Sequence, residues 1–129
     1  GELSRVLLGL VLVAHDRRAR TAFVFDEIDA GVGGATASAV GVRLARLARD
    51  AQVLCVTHLA QIASHGDAHV ALRKRDDGER TTIDAVTLDP GARRAEIARM
   101  LSGREGGVAL EHAAELISSA RRPRTKAGT

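Results

Sequence analysis

Ala22-Phe23-Val24-Phe25-Asp26-Glu27 is the stretch on which the fold turns. With Thr21 it forms a short apolar run rich in β-formers, which predicts a strand buried on both faces of a sheet. The run ends abruptly in two adjacent carboxylates. Ligand sites in open α/β sheets lie at the carboxyl ends of strands, which makes Asp26 and Glu27 candidates for chemistry.

Working outward, a second apolar run covers residues 52–57 and delivers His58 at the corresponding end. If the two strands are neighbours, Glu27 and His58 share one crevice. Between the strands, Gly31, Gly33 and Gly34 lead into residues 35–50, where Val40, Leu44 and Leu47 show helical spacing. Upstream, residues 3–16 place Leu3, Val6, Leu7, Leu10, Val11 and Ala14 three and four apart, the period of an amphipathic or largely buried helix. Downstream, residues 58–65 read as a short helix stopped by Gly66-Asp67. Residues 68–74 and 81–88 read as two strands joined through a turn at residues 76–79. Two helices follow, over 93–101 and 108–120, broken at Ser102-Gly103. This order predicts an α/β domain with parallel first strands, a β-hairpin and C-terminal helices, organised as one unit over 1–120 and a basic, disordered tail over 121–129. The opening helix has no preceding strand to receive it, so the sheet is expected to be incomplete and the chain a fragment of a larger architecture.

The carboxylate pair has a definite chemical use. In nucleotide hydrolysis Asp26 would hold Mg²⁺, usually through water, and Glu27 would orient or deprotonate the attacking water. Neighbouring side chains on an extended strand point in different directions, which would let the pair divide those roles. A histidine at His58 could donate to a phosphate oxygen and sense the terminal phosphate. Taken singly, each has a plainer reading: a solvated strand end for Asp26-Glu27 and an exposed or capping residue for His58. Their coincidence favours a site.

Composition excludes several classes. Only Phe23 and Phe25 are aromatic, 2% of the chain, so stacking platforms for single-stranded nucleic acid are essentially missing. The single cysteine, Cys55, lies in an apolar run and fits a reducing compartment as a buried small hydrophobe. The longest apolar stretch, residues 6–14, is too short to span a bilayer. Net charge is only +3, with arginines grouped at Arg17, Arg18 and Arg20 and at Arg121, Arg122 and Arg124, which permits nucleic acid nearby. No HExxH or paired CxxC pattern supports zinc, and Ser4 and Ser38 lack a nucleophile-elbow context. The loop Asp29-Ala30-Gly31-Val32-Gly33-Gly34 imitates a dinucleotide fingerprint, but Thr36 stands where the third glycine belongs and three carboxylates would repel a pyrophosphate.

The combination of Gly1-Glu2-Leu3-Ser4-Arg5, Phe25-Asp26-Glu27-Ile28-Asp29-Ala30-Gly31-Val32-Gly33-Gly34 and Thr57-His58-Leu59-Ala60-Gln61 resembles the C-terminal lobe of ABC-type, P-loop NTPase heads of the SMC-like DNA-repair branch, most closely the RecN family. The segment Ala95-Glu96-Ile97-Ala98-Arg99-Met100-Leu101-Ser102-Gly103 extends the likeness nearly to Ile117. The resemblance implies that Gly1 and Glu2 end the signature motif, Asp26 and Glu27 form Walker B, Asp29 belongs to the D-loop and His58 is the switch histidine, with Gln61 among the nucleotide-binding positions. It further implies ATP and Mg²⁺ as cofactors. The implied partners are a second head in a homodimer, the Walker A half of the same protein and DNA, with no membrane, in the cytoplasm at the nucleoid. No GxxxxGK[ST] occurs in these residues, so the phosphate cradle is absent and this stretch alone is expected to be inactive. Competing readings are a head of a transporter or chromosome-structuring protein, or a non-catalytic DNA- or protein-interaction module.

Overall fold

The computed structural model describes residues 1–14, 21–76, 78, 80–103 and 106–121. The arginine cluster at 17–20, part of the hairpin turn and the tail from Arg122 onward lie outside them. The described elements run α1 (Glu2–Ala14), β1 (Ala22–Phe25), α2 (Gly34–Leu47), β2 (Gln52–Cys55), α3 (Ala60–Ala63), β3 (Val70–Asp76), β4 (Thr81–Thr87), α4 (Pro90–Ser102) and α5 (Gly107–Arg121). None of these helices is long and apolar enough to cross a membrane.

Among the described residues two separate two-stranded sheets form. β1 pairs with β2 in parallel, Phe25 opposite Cys55, and the Val56 N–H donates to the Phe25 carbonyl at 2.9 Å to extend the ladder. β3 and β4 pair antiparallel, with Val70 opposite Thr87 and Asp76 opposite Thr81. The Asp76 carboxylate accepts from the Gly78 N–H, and Gly78 takes a φ of 87°, the left-handed conformation that glycine adopts without steric cost. The mixed α/β architecture with parallel strands and a hairpin matches the sequence expectation at that level.

The parallel strands are not buried on both faces. Phe23 and Phe25, stacked at 6.4 Å between ring centroids, face a core of Leu8, Ile28, Ala37, Val40, Leu44, Leu47 and Ile62. On the opposite face Val24 is 65% exposed and Leu54 58%. One layer of helices covers one face only, so continuous apolar sequence here reports a second face bare among the described residues. Burying such a side chain is worth roughly 1.5–3 kcal/mol, a standing drive toward further cover. Helix α1 shows the same inversion: Leu8, with Val11 and Leu12, packs inward, while Leu3, Val6, Leu7 and Leu10 of the apolar stripe face out. The incomplete sheet expected from sequence is compatible with both surfaces.

A second core joins the C-terminal helices, where Ala60 of α3 meets Ile97, Ala98 and Ala113 of α4 and α5. Small residues at Ala98 and Ala113 let α4 and α5 approach closely. Helix α4 starts three residues earlier than the hydrophobic period indicated. Asp89 caps it, accepting from the Ala92 N–H at 2.8 Å, and Pro90 occupies the first turn, where its missing N–H costs nothing. Gly103, at φ 71°, ends it in a left-handed C-cap. Arg121 closes α5 rather than opening a tail.

Candidate functional site

The site is assembled at the carboxyl edge of the parallel pair. β1 stops at Phe25, and Asp26 and Glu27 follow it directly, both exposed. They do not continue an extended strand. Glu27 has φ 54°, the left-handed region that a side chain with a Cβ enters at a cost of about 1–2 kcal/mol. Strand alternation therefore does not set the relation between the two carboxylates; the left-handed backbone at Glu27 does. Two turns complete it, Ala30 N–H to Glu27 carbonyl and Val32 N–H to Asp29 carbonyl, each 3.1 Å. Gly31, at φ 70°, supplies the second left-handed residue.

The first turn of α1 holds this loop. The Arg5 guanidinium donates through Nη1 to the carbonyls of Ile28 and Ala30 at 3.2 and 3.0 Å, and the Ser4 hydroxyl donates to the Asp26 carbonyl at 3.3 Å. Gly1 sits so close that an added Cβ would lie 2.9 Å from both the Cβ and the carbonyl oxygen of Ala30, which explains the glycine there. Glu2 is exposed beside it. The Gly1-Glu2 end of α1 and the loop after β1 are thus one structural unit, joined by residues more than 20 apart in sequence.

Asp29 is the buried member of the loop, 4% exposed. Its Oδ2 accepts from the Thr57 hydroxyl at 2.6 Å and the His58 backbone N–H at 2.8 Å, and it lies 2.9 Å from His58 Nδ1. Thr57 in turn accepts from the Leu59 N–H at 3.1 Å. Burial by itself raises the Asp29 carboxyl pKa. The hydrogen bonds from the Thr57 hydroxyl and from the backbone N–H groups of His58 and of Asp29 itself, with the His58 ring adding to them, overcome that and hold it below its ordinary value. A carboxylate at Nδ1 fixes the ring's orientation and leaves Nε2 to act outward from a side chain that is 76% exposed.

The expected Glu27 and His58 positions do come to neighbouring strand ends, yet no hydrogen bond or ion pair joins them among the described residues; His58 is held by Asp29 instead. Gln61 lies further along, on α3. Its carbonyl faces Gly41 of α2, where a Cβ would approach it to 3.0 Å and collide with the His65 ring. No cluster of three or more potential metal ligands exists among the described residues. That donor set does not build an all-protein cage, but it suits Mg²⁺, which takes one or two carboxylates and completes its shell with water and substrate phosphates. Sequence reading missed Arg5 and Thr57 as supports of the site. Only the position of Thr57, a hydroxyl directly before His58 at a strand end, offered a local signal.

The fold and these residues define a class: an α/β lobe that gathers carboxylates and a carboxylate-held histidine at the carboxyl edge of two parallel strands. The chain is 45% identical over 125 residues to the DNA repair protein RecN of Treponema pallidum, covering 96% of this chain and 22% of that protein. RecN of Streptomyces coelicolor gives the same identity and coverage, and RecN of Deinococcus radiodurans is 48% identical over 118 residues, 92% of this chain and 21% of that protein. This chain belongs to the RecN family, and it spans about a fifth of the length of the curated relatives it matches. No protein-family model matches it.

Proposed function

We propose that this chain supplies the water-activating and phosphate-sensing groups of an ATP-hydrolysing head in a RecN-type protein of DNA double-strand-break repair. The observation that carries the reading is the Asp26-Glu27 pair at the end of β1 beside a histidine fixed by Asp29 at the end of its parallel neighbour. In this reading Asp26 would hold Mg²⁺, which when bound would supply neutralisation of phosphate charge. Glu27 orients or deprotonates the attacking water, and its exposed carboxylate is free to do so. His58 donates from Nε2 to the terminal phosphate while Asp29 keeps the ring in place. Gly1, Glu2 and Gln61 face nucleotide held by a second head, and the phosphate-gripping loop comes from the Walker A half of the protein. Nucleotide-driven pairing of heads would couple hydrolysis to holding DNA, in the cytoplasm at the nucleoid.

Replacing Glu27 by Gln in the intact protein tests this. The amide keeps the size and the backbone strain but cannot take a proton, so steady-state ATP hydrolysis is expected to fall by at least 100-fold, in line with the roughly 10²–10⁴ contributed by general-base catalysis. Unchanged hydrolysis rules out the assignment.

A further inference from the structure

The cleft between α4 and α5 lies outside the site at the strand edge. It is an open cavity of about 410 Å³ whose lining includes Arg93, Arg94, Arg121 and Ser118, with Pro90 and Ile117 as apolar wall. Among the described residues no lining residue is acidic. Asp89, beside Pro90, is committed to capping α4 through the Ala92 N–H, and Glu96, between the two helix-borne arginine positions Arg94 and Arg99, is paired with Arg99. Arg93 is only 5% exposed, and its Nη2 is anchored by the carbonyls of Ala63, Ser64 and Gly66, which fixes the guanidinium rigidly. Its buried Nε has no hydrogen-bond partner among the described residues. Burial lowers the Arg93 pKa and the like charge of Arg121 lowers it further, against a smaller opposing effect of Asp67. Arg94 and Arg121 form no ion pair or side-chain hydrogen bond among the described residues. Three arginines therefore line one cleft with no acidic residue beside them in its lining among the described residues, an arrangement that an anion would stabilise.

We propose that this cleft binds a phosphate group, and that its source is the backbone of duplex DNA. Guanidinium forks match phosphate oxygens in bidentate geometry, and the Ser118 hydroxyl, which donates to the Glu115 carbonyl, retains lone pairs and can rotate to donate instead. The open mouth admits a polymer backbone, and the scarcity of aromatics fits contact with phosphates in place of stacked bases. The commitment to DNA rests on the repair reading above; the phosphate chemistry does not.

The test uses the intact protein with Arg94→Gln and Arg121→Gln combined, since Arg93 also supports the fold. Duplex binding is measured against salt concentration, with inorganic phosphate as a second probe. The double variant is expected to bind duplex several-fold more weakly, with the slope of log affinity against log salt reduced by about one to two, and to hydrolyse ATP without DNA as the parent does. Duplex bound equally by both proteins with equal slopes overturns the site and leaves the repair reading standing. Duplex bound by neither overturns the repair reading. The site is then upheld if inorganic phosphate binds the parent and not the variant, and overturned otherwise.

Discussion

The Asp29 carboxylate ties the loop after β1 to His58, bonding that residue through both its backbone N–H and its ring. A single oxygen thus fixes where the chain leaves β2 and how the imidazole is turned. Any change at the loop is transmitted to the histidine without passing through the hydrophobic core.

Asp29→Asn should separate these effects. The amide oxygen can still accept, but it is a weaker partner than a carboxylate for the Thr57 hydroxyl and the His58 N–H. The loss of charge-assisted bonding at a buried position is expected to cost about 1–3 kcal/mol. Urea unfolding of the intact protein would measure it, and an unchanged midpoint and slope would show that the clamp contributes no stability.

Acid should weaken the same clamp. Because the folded-state pKa of Asp29 is depressed, its contribution is fully present above the unfolded value of about 3.9 and is lost as pH falls through the lower folded value. The pH dependence of unfolding should therefore show a loss below about pH 4 that is absent in Asp29→Asn.

Glu27→Gly should uncouple stability from chemistry. Glycine accepts φ 54° without steric cost, although its freer unfolded state offsets part of the gain. The variant is expected to be as stable as the parent or up to about 1 kcal/mol more stable, while losing hydrolysis. Thermal unfolding beside an ATPase assay checks both. A clear destabilisation would mean that the Glu27 side chain has a structural partner.

Cys55 should be a slow thiol. Burial, with the charges of Asp29 and Asp26 adding, pushes its pKa up to about 11, so little thiolate exists near neutrality. Alkylation by iodoacetamide at pH 8 is expected to be far slower than for a free thiol, accelerating only as pH approaches 11. Rapid labelling at pH 8 would contradict this.

Much of the architecture was legible because it is local. The apolar run at Phe23 to Phe25, the glycines after it and the helical spacing at Val40, Leu44 and Leu47 each specify an element through neighbouring residues alone. So does the placement of Asp26, Glu27 and His58 at strand ends, once the strands are recognised as parallel neighbours. The start of α4 was also written in sequence, as Asp89-Pro90, although hydrophobic period alone does not find it.

What the tertiary structure decided depends on residues far apart. Periodicity cannot say that α1 turns Leu8 inward and Leu3, Val6, Leu7 and Leu10 outward, because apolar residues occupy both faces and only the packing partners choose between them. Nor does it reveal that Asp29 is bonded to Thr57 and His58, 28 and 29 residues away, or that Arg5 grips the loop from 25 residues before it. Local propensity and patterning are set by adjacent side chains; the orientation of a histidine and the burial of a carboxylate are set by which segments meet.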